Sequence, residues 1–517
     1  MDLTRRDAIK GAAAATAIGA LGALGASQAS ATEGEAGTAA SFVYAKTPAD
    51  VADMEQASCD VLVIGGGGAG VCAALAAAEQ GAQVIILEKM GYFGGASAMS
   101  SGKIPAVGTK LQEERGEQDS IGACAMDIFR PSNYSVREDL VYTVVENSKD
   151  LIEWTEGYGV VWTLDETLYY GQTAYRMHTA DGGGAGLMQP LIDSMGAVDA
   201  IEQMLEFQTQ GLVVDGDIVV GAYGTNAEGA EVAITAKATV LATTGFGNNP
   251  DMIAQYCPEA AAAVPVVAPG ATGEGILWAQ ELGADLQNMG AYQGHAFHCI
   301  DNGTTGEQGI ANNGGIMVNL EGNRFANEYT GYSELSPHVV AQTDHVAFLC
   351  FTDIQAEKSA KLASWQEAGI VYTGETAEEL AATIGVDPEK LAKTFADYQD
   401  GIAKGEDRFN RTKLPANFDG PYYAVKQTGE IRHTQGGIVT DVTGHALRAD
   451  GSIIKGLFAA GGCTEGYSSR GGAAYMSGNG LIQALAYGKL SGTRAATEDP
   501  QAPKLATWEK SEIDAYI

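Results

Sequence analysis

Residues 59–64 (CDVLVI) form a short apolar strand pattern that runs directly into GGGGAG at residues 65–70. VCAALAAAEQG then reads as a helix, and AQVIILEK reads as a second strand ending at Glu88. A strand, glycine turn, helix, strand and acid in this order is the unit that binds a dinucleotide. Gly65 makes the tight turn, Gly67 lets the backbone approach a pyrophosphate, and Gly70 lets the helix lie close on the strand. Gly68 and Ala69 begin the helix, whose N-terminus favours negative phosphates. Glu88 is placed to accept hydrogen bonds from ribose hydroxyls, with Lys89 beside it. Next comes a loop of small residues, Gly94, Gly95, Ala96, Ser97, Ser101 and Gly102, where a nicotinamide enzyme normally starts another helix. Such a loop suits an extended FAD.

Two later segments complete the expected cofactor site. AKATVLATTGFG is a strand ending in a glycine turn at Thr244 and Gly245. GLFAAGG is another, ending at Gly461 and Gly462. Gly478 and Asn479 then open a helix that carries Leu481 and Ile482 and runs to about Ala496, with its N-terminus toward the flavin pyrimidine edge. The fold class expected is α/β, a Rossmann-like FAD-binding domain interrupted by an α+β capping (substrate) domain. The expected bounds are 59–249 and 415–505 for the FAD-binding parts, 250–414 for the cap, and 506–517 for a C-terminal tail. In the cap, TAEELAATI sets Thr376 and Glu379 in a capping-box pattern.

Residues 1–31 read as a leader rather than as fold. Arg5 and Arg6 precede AAAATAIGALGALG, and Ala29, Ser30 and Ala31 form a small-x-small cleavage signal. Paired arginines before a weakly apolar run are the pattern of a twin-arginine signal, so the chain is expected at the periplasm or the outer face of the envelope. Residues 32–58 read as a linker. The 65 acidic residues outweigh 31 basic ones, a net charge of −34 that argues against nucleic-acid binding. No later segment reads as a membrane span. The seven cysteines form no C-x-x-C or C-x-x-C-H motif, so neither haem nor an iron–sulfur cluster is expected, and no metal. With no second nucleotide fingerprint for NAD(P)H, electrons are expected from a separate redox protein, a cytochrome or membrane-linked donor.

The motifs VIGGGGAG, LEKMGYFGGASAMSSG, LATTGFGNNPDMI, GGIMVNLEGNRFANE, HTQGGIVTD and GLFAAGG, within residues 59–497, resemble those of the fumarate reductase and succinate dehydrogenase flavoproteins. The chain is also similar to urocanate reductases and 3-ketosteroid Δ1-dehydrogenases. The resemblance implies FAD at a domain interface and substrate packed against the flavin ring. It also locates three arginines of the fumarate reductases, which fall here on Ala311, Tyr332 and Tyr475. Two family histidines match His295 and His433. Losing three guanidinium groups removes the bidentate clamps for a dicarboxylate. The tyrosines resemble those with which ketosteroid dehydrogenases exchange a proton with carbon.

The expected reaction is reduction of a polarised C=C bond, of the enone or aryl-acrylate type. Hydride would come from flavin N5 and a proton from Tyr332. His433 or Tyr475, with backbone N–H groups near Gly478, would hold the substrate carbonyl, and His295 would orient Tyr332. His178, Arg176 and Arg470 are further candidate substrate ligands, Arg470 as the one nearby cation to replace a lost clamp. Tyr169, Tyr170 and Tyr175 are candidates for an aromatic wall. The alternatives are a dehydrogenase that introduces a double bond next to a ketone, an oxidase using oxygen, and a non-enzymatic flavoprotein electron carrier.

Overall fold

The run from Val61 to Ile64 is buried on both faces, which is the environment of a central parallel strand rather than of an edge. In the computed structural model, which describes residues 43–357 and 359–508, this run ends the strand Glu55–Ile64. It pairs in parallel with Val84–Leu87 on one side and Glu231–Leu241 on the other. Ile201–Met204 extends the sheet beyond Val84–Leu87, and Ile453–Ala459 lies beside Glu231–Leu241. The registers align Ile64 with Leu87 and Leu241, and Leu241 with Ala459. The carboxyl ends of four parallel strands therefore stop together, and the loops after them open on one edge. That edge is where ligands bind in open α/β sheets.

One face of this sheet carries the helix Gly68–Glu79 and the C-terminal helix Asn479–Thr497, packed with Val61, Val63 and Ile86. The two helices meet backbone to backbone. A Cβ on Gly488 would lie 2.4 Å from the Ala69 carbonyl oxygen, and one on Gly492 would lie 2.1 Å from that of Ala73. The opposite face is covered by Met252, Ile253, Ile276 and Trp278, in one core with Leu62 and Ile64.

The second sheet is built around one long strand, Tyr422–Thr434. It pairs antiparallel with Tyr292–Cys299, Ala347–Phe351 and Tyr372–Gly374, and in parallel with Val264–Pro265. Helices Tyr332–Val340, Ala377–Ile384 and Pro388–Lys404 pack around it. Both sheets lie in one compact unit.

These positions move the expected boundaries. The helices Pro250–Tyr256 and Glu274–Glu281 belong to the first core, because Met252, Ile253, Ile276 and Trp278 cover the parallel sheet, whereas Val264–Pro265 between them joins the cap sheet. Residues 415–434 belong to the cap, because Tyr422–Thr434 is its central strand. The presumed linker is partly ordered: Lys46 bridges to Val213, and residues 55–58 already pair with Glu231–Leu241. Thr376 does cap its helix through the Glu379 N–H, but the Glu379 carboxylate turns to the Glu375 N–H, so the reciprocal half of the box is not closed on Thr376. The leader at 1–31 and residues 509–517 of the tail lie outside the described residues. Among the described residues, no helix is long and apolar enough to cross a membrane.

The glycine contact between the helices is testable. Gly→Ala inside a helix normally stabilises by about 1 kcal/mol. At Gly492 the expected sign is reversed, a loss of about 1–3 kcal/mol from overpacking against Ala73. Thermal denaturation of Gly492→Ala checks this, and a raised Tm would show that the helices do not touch there.

Candidate active site

The loops at the carboxyl edge and the end of the long cap strand enclose a cavity of about 1160 Å³. Its wall takes in Gly65, Gly67, Gly68, Ala69, Glu88 and Lys89 from the first unit. Gly95, Ala96, Ser97 and Ser101 follow, then Thr244, Gly461, Gly462, Gly478 and Leu481. A Cβ on Gly67 would meet no protein atom within 4 Å, so this glycine faces open space beside the N-terminus of the helix Gly68–Glu79. Glu88 is fixed by accepting from the N–H of Gly66 and of Met90, both at 2.8 Å. At the other helix N-terminus the Asn479 side chain is fully buried, and neither of its polar atoms has a protein partner. Two helix N-termini, an open glycine cradle and a fixed carboxylate fit an extended dinucleotide such as FAD.

Six residues of the expected cofactor set do not face the cavity but shape it from behind. Gly70 lies against the Gly65 carbonyl, where a Cβ would sit 1.8 Å from the oxygen. Gly94 donates to the Gly66 carbonyl at 2.8 Å. Gly102 lies against the Gly183 backbone and Gly245 against the Thr434 side chain. Ile482 is in the helix core, and Asn479 is enclosed as described.

The four expected catalytic side chains do converge. Tyr332, His295, Tyr475 and His433 all line the cavity. The Tyr332 ring centroid is 5.1 Å from that of His295 and 6.2 Å from that of Tyr475, and His433 lies 5.6 Å from Tyr475. The Tyr332 hydroxyl and the Ser477 hydroxyl are 3.0 Å apart. His433 Nδ1 takes part in a 3.2 Å contact with the Gln435 amide. Its ring rests against Gly480, where a Cβ would come within 2.6 Å of the imidazole. That glycine lets the histidine lie over the helix N-terminus.

Burial sets the protonation of this group. Burial raises the Tyr332 phenol above its ordinary value, against the opposing Ser477 hydrogen bond and the charge of Arg432. Tyr475 is pushed well above by burial, with Tyr332 adding to the shift. Burial lowers His295 and His433 each to about 4, so both rings are neutral near pH 7.

Three expected substrate ligands lie elsewhere. Arg176 is fully buried between Asp119 at 2.8 Å and Asp127 at 2.6 Å. His178 is buried against the Thr109 hydroxyl at 2.8 Å. Both are structural, and neither reaches the cavity wall. Arg470 is exposed and also off the wall. Tyr169 and Tyr170 do form part of the wall, whereas Tyr175 stacks under Arg115 instead. Among the described residues, Arg432 is the arginine that lines the cavity, and sequence reasoning missed it. Its charge is matched by Glu430, 2.7 Å away. The signal was available: E-x-R in a strand sets opposite charges on one face.

Comparisons with known proteins agree with the fold and the cofactor. A family model described as FAD binding domain matches residues 60–481. A probable fumarate reductase of Shewanella frigidimarina is 33% identical over 442 residues, which span 84% of this chain and 74% of that protein. The urocanate reductase of Eggerthella lenta is 30% identical over 456 residues, spanning 84% and 74%. A 3-ketosteroid-Δ4-(5α)-dehydrogenase of Rhodococcus jostii, solved in complex with 4-androstene-3,17-dione, superposes with a TM-score of 0.71 at 27% identity. That superposition covers 88% of this chain and 100% of that one.

The protonation states predict the pH profile of turnover. A histidine lowered to about 4 stays neutral as pH falls past 6.5. A phenol raised above 10 keeps its proton past that pH. The expected kcat/KM is therefore flat from about pH 5 to about pH 9, with an acid limb near pH 4. An acid limb near 6.5 would show a solvated histidine and contradict the burial.

Proposed function

This chain belongs to the FAD binding domain family that holds the fumarate and urocanate reductases, and we propose that it reduces a polarised C=C bond next to a carbonyl, with Tyr332 as proton donor. It is an FAD-dependent oxidoreductase. Bound FAD supplies the hydride. The observation that carries the proposal is a buried, protonated phenol on the cavity wall, beside two neutral histidines and a second tyrosine.

The chain's own groups divide the work. Hydride arrival at the β-carbon builds negative charge on the carbonyl oxygen. Tyr475 and the neutral His433, both on the cavity wall, would hydrogen-bond that oxygen, together with N–H groups at the start of Asn479–Thr497. Tyr332 gives its proton to the α-carbon. Ser477, 3.0 Å from the phenol oxygen, orients the hydroxyl and stabilises the phenolate left behind. A dicarboxylate is disfavoured because the positions that resemble the clamping arginines are Ala311, Tyr332 and Tyr475, and Arg432 is already paired with Glu430. An enone or aryl acrylate matches the cluster of phenols and neutral imidazoles around Tyr332.

A second reading, desaturation next to a ketone, is favoured by the likeness to the Rhodococcus jostii ketosteroid dehydrogenase. The raised Tyr332 phenol weighs against it, because a protonated phenol gives a proton more readily than it takes one. We also place the protein outside the cytoplasm, on the strength of Arg5, Arg6 and the cleavage signal at residues 29–31. A separate redox protein would deliver the electrons.

Anaerobic turnover with reduced viologen tests the reading against fumarate, urocanate, cinnamate, 2-cyclohexenone and steroid enones. Cinnamate or an enone is the expected substrate. Tyr332→Phe is expected to lose about 100-fold or more in kcat with the flavin spectrum retained. Fumarate turnover that survives Tyr332→Phe would overturn the assignment. Silence across the panel would favour the oxidative direction, measured with saturated ketones and a dye acceptor. Replacing Arg5 and Arg6 by lysine is expected to retain the protein in the cytoplasm, as read by cell fractionation.

A further inference from the structure

Lys103 lines the cavity, and the reaction above does not use it. Its strand, Lys103–Pro105, follows the small-residue loop that ends at Gly102. A Cβ on Gly478 would lie 2.7 Å from the Lys103 carbonyl oxygen, so the lysine sits against the residue that opens the helix Asn479–Thr497. Glu88 and the open cradle at Gly67 belong to the first helix N-terminus and suit ribose and pyrophosphate. That leaves the second helix N-terminus, with Lys103 beside it, for the flavin ring.

The lysine is held in a small network. Lys103 Nζ donates to Asp165 Oδ2 at 2.6 Å and to the Thr179 hydroxyl at 2.8 Å. The strands Lys103–Pro105 and Met177–Ala180 pair antiparallel with Lys103 opposite Thr179, which brings the two side chains to one face. The same carboxylate accepts from the Thr179 hydroxyl at 2.6 Å and from the Tyr169 hydroxyl at 2.7 Å. Lys103 and Tyr169 are on the cavity wall, whereas Asp165 and Thr179 are off it. The cavity therefore meets the positive member of the ion pair first. Both side chains are largely shielded from bulk water, so their field is weakly screened. Burial works against the lysine's charge, but Asp165 and Tyr169 outweigh it and raise Lys103 above its ordinary value. Burial would raise the Asp165 carboxyl, but Lys103, Thr179 and Tyr169 outweigh it and hold it below its ordinary value. Both groups are ionised near pH 7.

We propose that Lys103 raises the reduction potential of the bound flavin and that Asp165, as a positioning residue, limits how far. The proposal rests on FAD in this cavity and not on Tyr332 as proton donor. Uptake of two electrons from the redox partner and one proton from water adds one negative charge to the flavin. A fixed cation on the wall stabilises that form and raises the potential, and a carboxylate behind the cation subtracts part of the effect. The two half-reactions make opposite demands. A higher potential eases reduction by the donor, and a lower one eases hydride delivery to the substrate. A lysine whose counter-charge stands off the wall lies between these limits.

The test measures the midpoint potential of the intact flavoprotein by slow reduction beside a dye of known potential, at about pH 7 and without substrate. Lys103→Met keeps the length of the side chain and removes its charge. Asp165→Asn keeps an acceptor for the lysine and removes the counter-charge. The expected shifts are opposite in sign. Lys103→Met is expected to lower the potential by about tenfold or more in the two-electron equilibrium, which is about 30 mV or more. Asp165→Asn is expected to raise it, and Lys103→Arg to stay close to wild type. An unchanged potential in Lys103→Met would overturn the proposal. So would a rise in KM for the substrate without a shift, which assigns the lysine to substrate binding. Shifts of one sign in both variants would overturn it as well, because they mark a general disturbance of the site. An equal fall in Lys103→Arg and Lys103→Met does the same, because volume rather than charge is then at work. If Lys103→Met does not hold flavin, Asp165→Asn decides alone: a raised potential supports the proposal, and an unchanged or lowered one overturns it. None of these readings needs turnover, so silence across the substrate panel would remove the proposed reaction and leave this result standing.

Discussion

The backbone ladder of one strand, Tyr422–Thr434, is the constraint on which the rest of the site depends. Four other strands hydrogen-bond to it, so its course is fixed along most of its length. Its last residues then leave the cap core and reach the cofactor edge of the other sheet. There the Thr434 hydroxyl accepts from the Phe246 N–H at 3.1 Å, which ties the strand to the glycine turn after Glu231–Leu241. Glu430, Arg432 and His433 ride on this tail. Their positions relative to a bound flavin are thereby set by a sheet rather than by a loop, and geometry held by a sheet is the more exact.

The electrostatics of the cavity follow from the same arrangement. A site facing a cofactor with a negative pyrophosphate, in a chain of net charge −34, is expected to recruit cations. Among the described residues, three of the four cations on its wall come already compensated: Arg432 by Glu430, Lys103 by Asp165 at 2.6 Å, Lys89 by Glu274 at 2.8 Å; Lys361 is the fourth. Around Tyr332 the wall is neutral and can hydrogen-bond, with phenols, the Ser477 hydroxyl and uncharged imidazoles. Such a surface discriminates by placing hydrogen bonds on one carbonyl oxygen, whereas a guanidinium clamp discriminates by counting carboxylates.

The cofactor half of the fold was legible from residues 59–102 because its signals are local. A glycine that must admit another backbone needs no knowledge of distant partners, and strand, turn and helix follow one another without interruption. Tyr332, His295, Tyr475 and His433 were legible for a different reason: they fall on positions that resemble site positions of known flavoproteins. Arg176, His178 and Arg470 were misjudged because nearness in sequence to site motifs stood in for nearness in space. Arg176 is held by Asp119 and Asp127, some fifty residues upstream, and nothing in a linear reading pairs them. The cap boundary at 414 moved likewise, since nothing in the sequence says that residues 422–434 form the central strand of the cap sheet. Arg432 was missed although its pairing with Glu430 shows in the sequence as E-x-R, because nothing local says that the end of this strand lines the cavity.

The pairing of Gly68–Glu79 with Asn479–Thr497 has a consequence for how the protein comes to hold its flavin. The phosphate cradle is made early on the ribosome, but the helix that lies against it through Gly488 and Gly492 is made almost last. A nascent chain therefore carries half a cofactor site for most of its synthesis and cannot retain FAD until the final helix has emerged and docked. Loading is an event of the completed chain. A premature stop before residue 479 yields an apoprotein with an uncovered sheet, which is a substrate for proteolysis rather than a shorter enzyme.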